Sequence, residues 1–174
     1  MRLTGFQFSL FLFQIMRKIK NVHRNDDPKK YQCFGCSPHN SEGLHLEFWE
    51  DGEYVLTNWM PEPKLMGWYN VLHGGIQATI MDEVAAWVVY VKCMTAGVTT
   101  ELNVKYKKPV LIDKGVITVQ GRLKEQNKRF AIIETQVISD NTICAEAEIK
   151  YFIFPEAVAK KEYHYPGIEA FFDE

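Results

Sequence analysis

Residues 73–92 read HGGIQATIMDEVAAWVVYVK, and the interpretation of the whole chain starts from this stretch. Its apolar residues recur at three- and four-residue steps, a spacing that predicts an α-helix over 75–92. The residues in this pattern are Ile76, Ile80, Val84, Trp87, Val88 and Val91. The helix follows two glycines and carries one acidic pair, Asp82-Glu83, in an otherwise apolar run. We therefore expect a buried helix with a carboxylate near its middle.

Two features of this stretch, its glycine start and its acid, indicate a possible reaction site. Glycines at a helix start leave backbone N–H groups and the positive end of the helix dipole free to approach a ligand. A carboxylate about two turns along supplies a fixed base or nucleophile, and the combination is a minimal acyl-transfer site. Asp82 shares its helical stripe with small or apolar residues, so we expect it to be partly desolvated. Glu83 points about 100° away and is expected on a solvated or salt-bridged face.

Composition limits the class of protein. The 174 residues suffice for one domain, and 47 % hydrophobic with 24 % charged residues is ordinary for a globular chain. A net charge of −2 gives no indication of a nucleic-acid or anionic-membrane partner. Four cysteines are too few for a disulfide framework in a chain of this length, which favours a reducing, cytoplasmic location.

Strand patterns surround the helix. Alternation in 44–48, a hairpin turn at Asp51-Gly52 and a return strand over 54–59 precede it, followed by a connecting loop over 64–72. Further strands are predicted over 99–107, 115–123, 130–138 and 143–154. Two strands, one long helix and four strands predict an α+β fold in which an antiparallel sheet packs on one helix.

The chain divides into three parts by this reading. We expect an N-terminal extension of uncertain order over 1–30, a main domain over 31–155 and a C-terminal appendage over 156–174. Residues 5–16 (GFQFSLFLFQIM) are apolar but too short to span a bilayer, and no signal-peptide pattern surrounds them. Three interpretations stay open: an interfacial anchor, a packed helix, or residues upstream of a true start at Met16.

Several motifs in this order resemble the hotdog-fold acyl-CoA thioesterases, specifically the PaaI-like branch, over about residues 33–154. The first is an upstream Cys-x-x-Cys-Ser-x-x-Asn-x-x-Gly-Leu box that begins at Cys33. The second is His73-Gly74-Gly75 with an acid nine positions after the histidine. The third is a Thr-x-x-Leu-x-Val-x-Tyr-x-x-Pro-Val strand that begins at Thr99. The resemblance implies a hotdog fold in which the sheet wraps one central helix.

The resemblance also implies roles for particular residues. Gly74 would donate an oxyanion-hole N–H to the thioester carbonyl, and Asp82 would be the catalytic base or nucleophile. Thr99 would orient the attacking water, which a hydroxyl can do because it both donates and accepts. Thr100 lies on the opposite face of the strand, so a register error would exchange the two threonines.

His73 is expected to be structural or to orient the loop, more than to act as a base. Many relatives carry an asparagine six residues before this histidine, where this chain has Gly67. Asn70 is the nearest substitute, and we include it among the candidate catalytic residues.

Substrate contacts are expected from five positions. Gly75 lies at the helix start, and Trp68 and Tyr69 are candidates to line an acyl tunnel. Coenzyme A carries several phosphates, so cations near the pocket mouth would help to bind it. Arg122 and Lys124 border the turn that carries Lys128-Arg129, and this last pair is the preferred candidate because related proteins have a basic turn there.

The resulting functional hypothesis is hydrolysis of acyl-CoA thioesters to free acid and CoA, without a further cofactor. The resemblance implies a homodimer, with possible pairing into tetramers, in which Gly74 and Asp82 of one site come from different chains. One alternative is a non-catalytic acyl-CoA-binding or sensing protein, supported by Gly67. A hotdog hydratase is a second alternative, although no acid near His73 is placed to assist it.

A zinc site formed by Cys33, Cys36, His39 and His45 is one more interpretation of the sequence. His45 alternates within a predicted strand, and the histidines lack zinc-finger spacing. The Cys-x-x-Cys box also belongs to the motif shared with the thioesterases. No metal is therefore expected from the sequence.

Overall fold

The computed structural model describes residues 16–173, and the predicted α+β hotdog architecture is confirmed in them. The strands are β1 (Arg17–Ile19), β2 (Phe48–Asp51), β3 (Tyr54–Trp59), β4 (Met66–Trp68), β5 (Val71–Leu72), β6 (Gly97–Tyr106), β7 (Ile117–Gln126), β8 (Phe130–Ser139) and β9 (Thr142–Ile153). The helices are α1 (Gly74–Lys92) and α2 (Glu156–Glu162). Three short 3₁₀ turns lie at Pro63–Leu65, Ile112–Lys114 and Ile168–Phe171.

Seven strands form one antiparallel sheet in the order β1-β2-β3-β7-β8-β9-β6. The strands β4 and β5 form a separate small hairpin just before α1. The helix crosses the concave side of the sheet and contacts β3, β6, β7, β8 and β9. β1 is a three-residue edge, whereas β6 is a ten-residue edge along which most side chains are exposed.

The helix approaches β7 most closely at Gly121. A Cβ built on Gly121 would lie 3.0 Å from Cγ1 of Val84 and 2.9 Å from Cγ2 of Thr135. Val84 is fully buried, as are Ile80 and Val88 on the same face of α1. The absence of a side chain at position 121 therefore sets how deeply the helix sits on the sheet.

Predicted and observed elements differ mainly at their ends. The helix begins at Gly74, one residue earlier than predicted, and β2 begins only at Phe48. The expected alternation from Leu44 fails as a strand because His45 adopts a left-handed backbone (φ 51°), although Leu44 and Leu46 are buried. The predicted loop over 64–72 is wrong in part, since it holds a 3₁₀ turn and the β4–β5 hairpin.

Both ends of the described chain pack on the sheet and helix. β1 lies within the stretch that the sequence suggested as an extension, and Ile19 is buried in the core. After β9, Tyr165 and Phe171 are buried against the aromatic side chains of α1. Residues 1–15, with the apolar run discussed above, lie outside the described residues. Within the described part, neither helix is both long and apolar enough to cross a membrane.

Replacing Gly121 by valine tests the close approach of helix and sheet. We expect Gly121→Val to lower the free energy of unfolding by about 1–3 kcal/mol, because its side chain must displace Val84 or Thr135. Urea denaturation followed by circular dichroism measures the change. Gln120→Val places the same side chain on the other face of β7 and removes one part-buried hydrogen bond to Gln136, so it should lower the free energy of unfolding by less than about 1 kcal/mol. Equal stability of the two variants would contradict this account of the packing.

Candidate active site

Asp82 is held by two hydroxyl groups from the sheet. Its Oδ1 accepts a hydrogen bond from Oγ1 of Thr99 at 2.8 Å, and the hydroxyl of Tyr151 lies at 2.8 Å from the same oxygen. The Tyr151 hydroxyl is also 2.9 Å from the backbone carbonyl of Asp82. The carboxylate is half-buried, in agreement with its place on the apolar stripe of α1.

Strand register brings these hydroxyls together. Thr99 on β6 pairs with Tyr151 on β9, and a bulge between Thr99 and Glu101 shifts the register after this pair. The hydroxyl of Thr100 donates instead to the carbonyl of Lys150, at 3.0 Å. The ambiguity between the two threonines is thereby resolved in favour of Thr99 as the neighbour of Asp82.

Tyr151 was not predicted from the sequence. It is almost fully buried, and burial together with the charge of Asp82 raises the pKa of its phenol. The hydroxyl therefore stays protonated and acts as a donor to Asp82. Its neighbours in the sequence, Lys150 and Phe152, are residues of an ordinary strand, so no local pattern distinguishes it. Only the pairing of β9 with β6 places it beneath the helix.

The arrangement leaves one oxygen of Asp82 available. Both hydroxyl contacts go to Oδ1, and no described residue donates to Oδ2. Fixing one carboxylate oxygen orients the other without neutralising the charge. A carboxylate held in this way can take a proton from a water molecule or attack a carbonyl carbon itself.

Gly74 is the first residue of α1, and its N–H has no acceptor among the described residues. Its carbonyl oxygen accepts a hydrogen bond of 2.7 Å from the hydroxyl of Tyr106 on β6. The next N–H, of Gly75, is bound by Nδ1 of His73 at 2.9 Å. A helix-start N–H that is oriented and unpaired is a suitable oxyanion donor. Gly75 lies beside Gly74, but its N–H already donates to Nδ1 of His73.

His73 therefore caps the helix. Because its Nδ1 accepts the Gly75 N–H, the proton of the neutral ring is on Nε2. The backbone N–H of His73 also binds the carbonyl of Leu65, which ties the cap to the preceding loop. This contact agrees with the expected structural role of the ring and does not favour its use as a base.

The structure gives Asn70 a contact away from Asp82. Asn70 adopts a left-handed backbone (φ 58°) in the β4–β5 turn, and its Oδ1 accepts the N–H of Asp113 at 3.1 Å. Its carboxamide is thus part of a turn and takes no part in the chemistry proposed below.

The glycine at position 67 is explained by close packing against His73. A Cβ on Gly67 would lie 3.0 Å from Cα and Cδ2 of His73. An asparagine at this position would require His73 to move.

The aromatic pair Trp68-Tyr69 lies at the tip of the β4–β5 hairpin. Their exposed fractions are 72 % and 87 %, and their rings meet edge to face at 5.8 Å. In one protomer they do not line an enclosed tunnel. Two large exposed aromatic side chains beside the helix start are instead typical of a surface that another molecule covers.

The four basic residues near the β7–β8 turn separate into two groups. Arg122 pairs with Glu134, and Lys124 pairs with Glu134 and Glu148. Lys128 and Arg129 are exposed and form no ion pair with any described residue. Ala131 shares a row of the sheet with Tyr151 and Thr99, so the turn lies roughly 10 Å from Thr99 at the same end of the sheet.

The expectation for Glu83 is wrong. The side chain is half-buried beneath the segment that joins β1 to β2, and it forms no ion pair in the described structure. Its Oε1 accepts the Trp87 indole N–H at 3.3 Å and lies 3.5 Å from Sγ of Cys33. The cause is tertiary: the 31–46 segment folds over this face of α1, and helix geometry alone does not reveal such a cover.

The histidines considered for zinc are also engaged elsewhere. Nε2 of His39 lies 2.9 Å from the carbonyl oxygen of Arg24, and Nε2 of His45 lies 2.7 Å from that of Asn40. The thiols of Cys33 and Cys36 instead meet the carboxylate of Glu83. The hydrogen bond between the two cysteines lowers the pKa of Cys33 and raises that of Cys36, to which burial adds.

Asp82 and Gly74 of one chain cannot act on the same atom. They are eight residues apart on α1, which corresponds to about 12 Å along the helix axis. An oxyanion donor and the base or nucleophile must both lie within about 3 Å of the reacting group. The protomer thus contains both halves of an acyl-transfer site, at separate places.

Comparison with known proteins agrees with this geometry. The model of the thioesterase superfamily matches residues 69–146, a segment that contains α1 with Gly74 and Asp82, and β6 with Thr99. Residues 69–146 resemble the thioesterase superfamily, and the chain has the hotdog fold. No curated protein sequence gives a significant match.

Solved structures share the fold at low identity. A thioesterase superfamily protein superposes with a TM-score of 0.62 and 21 % identity, over 74 % of this chain and 60 % of its own length. A hypothetical thioesterase from Streptococcus pneumoniae, solved with coenzyme A, gives 0.56 and 20 %, over 60 % and 83 %. A protein from Streptococcus mutans bound to acetyl CoA gives 0.56 and 19 %, also over 60 % and 83 %. The chain therefore spans less than two thirds of the first of these proteins.

Removing the Tyr151 hydroxyl tests how firmly Asp82 is held. We expect Tyr151→Phe to lower the free energy of unfolding by about 1.5–3 kcal/mol, because a hydrogen bond to a half-buried charged group is lost. A double-mutant cycle with Asp82→Asn, measured by urea denaturation at neutral pH, should show coupling of at least about 0.5 kcal/mol. Tyr69→Phe is the control, since its hydroxyl contacts no described residue. Additive effects at Tyr151 and Asp82 would contradict the contact.

Proposed function

We propose that this protein hydrolyses acyl-CoA thioesters to free acid and CoA. The observation that carries the proposal is the Asp82 carboxylate, whose Oδ1 is fixed by Thr99 and Tyr151 while Oδ2 has no donor among the residues that the structure describes. The thioesterase superfamily match over residues 69–146 supports the reaction class. The CoA and acetyl CoA bound to two structural neighbours support the ligand class.

In the proposed reaction, Oδ2 of Asp82 takes a proton from a water molecule that the Thr99 hydroxyl helps to orient. The water oxygen bonds to the thioester carbonyl carbon, and the charge that develops on the carbonyl oxygen is stabilised by the N–H of Gly74 and the dipole of α1. The C–S bond then breaks, and the CoA thiolate takes up the proton from Asp82. In the other route consistent with this geometry, Asp82 attacks the carbonyl directly and water hydrolyses the anhydride formed.

A second copy of the chain completes the site. Since Gly74 and Asp82 lie about 12 Å apart on one helix, the two groups must come from two helices that run antiparallel. A two-fold axis near Ala78, a small residue midway between them, would set Gly74 of each chain beside Asp82 of the other. The active unit proposed here is this homodimer; association into tetramers stays a prediction.

The exposed strand β6 supports such a dimer. Val98, Leu102 and Tyr106 are 46 %, 39 % and 52 % exposed along an edge with unpaired backbone groups, which favours pairing with another strand. An antiparallel pairing centred between Leu102 and Asn103 would set Thr99 opposite the partner's Tyr106. Thr99 contacts Asp82, and Tyr106 contacts Gly74. One edge pairing therefore brings both halves of the site together.

Lys128 and Arg129 are the proposed contacts for the CoA phosphates, because they are exposed, form no ion pair with a described residue, and lie at the same end of the sheet as Thr99. Trp68 and Tyr69 would be covered at or near the dimer interface, where they could contact the acyl group.

No cofactor beyond the CoA moiety is proposed. A cytoplasmic location and placement in the PaaI-like branch remain predictions from the sequence.

Replacing Asp82 tests the reaction and the acid together. We expect Asp82→Asn to lower kcat about 10²- to 10⁴-fold, because the amide can neither take the proton nor attack. Thiol release from a panel of short, long and aromatic acyl-CoAs measures the rate. Asp113→Asn, an exposed acid in a 3₁₀ turn, is the matched control and should leave kcat unchanged. Binding of acyl-CoA without thiol release by the wild type would favour the sensing alternative and overturn the proposal.

Replacing Gly74 tests the oxyanion donor. Proline is well tolerated at the first position of a helix and removes the N–H, so Gly74→Pro should lower kcat/KM about 10²- to 10³-fold. Gly74→Ala also adds a Cβ, 3.2 Å from Tyr106, but keeps the N–H, and should stay within about tenfold of wild type. Equal losses in both variants would indicate a steric effect and not a missing donor.

The same variants test the shared site. Chains with Gly74→Pro and chains with Asp82→Asn, coexpressed with different tags and purified through both, form heterodimers. Each heterodimer would contain one intact site and recover about half of the wild-type activity, although each variant alone is nearly inactive. A heterodimer as inactive as its parents would show that the two groups do not act across the interface.

A further inference from the structure

A second group of chemically active side chains lies on the other face of the central helix. Sγ of Cys33, Sγ of Cys36 and a carboxylate oxygen of Glu83 all lie within 4.8 Å of one another; we call them the thiol–carboxylate cluster. Cys33 and Cys36 come from the segment between β1 and β2, and Glu83 comes from α1. The reaction proposed above makes no use of this cluster.

The distances suit a tetrahedral metal ion. With metal–sulfur bonds near 2.3 Å and metal–oxygen bonds near 2.1 Å, ligand atoms are separated by roughly 3.6 Å (S to O) and 3.8 Å (S to S). Sγ of Cys33 lies 3.5 Å from Oε1 and 3.6 Å from Oε2 of Glu83. Sγ of Cys36, which also lies 3.0 Å from the Tyr31 hydroxyl, is within 4.8 Å of the other two ligand atoms. Two thiols and a carboxylate are a donor set that zinc accepts.

A cation would stabilise the carboxylate of the cluster. Glu83 is half-buried, and its contacts are the Trp87 indole N–H and the Cys33 thiol. No lysine, arginine or histidine among the described residues forms an ion pair with it. Burial of a carboxylate with so few donors is costly unless an opposite charge compensates it.

The backbone around the cluster is shaped to receive the carboxylate. A Cβ on Gly35, which lies between the two cysteines, would be 2.5 Å from Cδ of Glu83. The glycine therefore allows Glu83 to lie against the turn. Hydrogen bonds hold this turn on both sides: Leu46 N–H binds the carbonyl of Gly35 at 2.9 Å, and Nδ2 of Asn21 binds that of Cys36 at 2.9 Å. The thiols are thus positioned before any ion binds.

We propose that Cys33, Cys36 and Glu83 form a binding site for a divalent zinc-class cation. Binding would release the thiol protons to solvent and balance the carboxylate, and a water molecule would be the fourth ligand. The ion would join the 31–46 segment to α1 one residue away from Asp82. The site is structural, and it stands independently of the thioesterase activity.

Cobalt substitution tests this site on the full chain. Protein reduced and treated with chelator is dialysed against Zn²⁺ or Co²⁺, and bound metal is measured by mass spectrometry. We expect about one ion per chain, and with Co²⁺ a thiolate-to-metal charge-transfer band in the near ultraviolet. In wild type, a thiol-modifying mercurial should release the ion. Asp82→Asn should keep the band, which separates this result from the fate of the thioesterase proposal.

Substitutions identify the ligands. The double variant Cys33→Ser with Cys36→Ser should lose both the ion and the band, whereas Cys93→Ser, a half-buried free thiol at the end of α1, should keep both. Glu83→Gln should retain the thiolate band but bind metal at least about tenfold more weakly. Absence of bound metal in the wild type, metal retained in the double variant, or a Cys33–Cys36 disulfide that forms in its place would overturn the proposal.

Discussion

The seating of one apolar helix on the antiparallel sheet is the constraint on which the rest of the structure depends. Gly121 removes the one side chain that would hold the helix away from β7, and Val84 occupies the space. Because the helix is fixed at this height, Asp82 comes within hydrogen-bond distance of hydroxyls on β6 and β9. Burial of the helix and placement of its acid are consequences of the same packing.

That packing gives the two faces of α1 different roles. One face presents Asp82 to the sheet, where the hydroxyls of Thr99 and Tyr151 orient it and leave one oxygen for chemistry. The neighbouring residue, Glu83, is covered by the 31–46 segment and meets two thiols. Two adjacent acids thus occupy unrelated environments, because a rotation of 100° around the helix separates a sheet contact from a loop contact.

A single chain holds the parts of the proposed site without assembling them. The unpaired N–H of Gly74 and the carboxylate of Asp82 are fixed at opposite ends of two helical turns, and neither can move along a rigid helix. The long exposed edge of β6 runs beside both. The proposed catalytic groups cannot meet within one protomer, and the sheet has an open edge next to them. Self-association is therefore part of the chemistry that we propose.

The sequence by itself determined the order of the main elements, the helix with its glycine start, and Asp82 as a candidate, because periodicity, turn residues and helix-start chemistry are local properties. Thr99 became a candidate through the strand motif that resembles the thioesterases. The tertiary structure alone decided the rest. Tyr151 reaches Asp82 through the pairing of β9 with β6, and Asn70 is drawn into a turn by the backbone of Asp113. Glu83 contacts Cys33, which lies fifty residues away in the sequence. These contacts join residues that are distant along the chain, and no short-range pattern records which distant segments will meet.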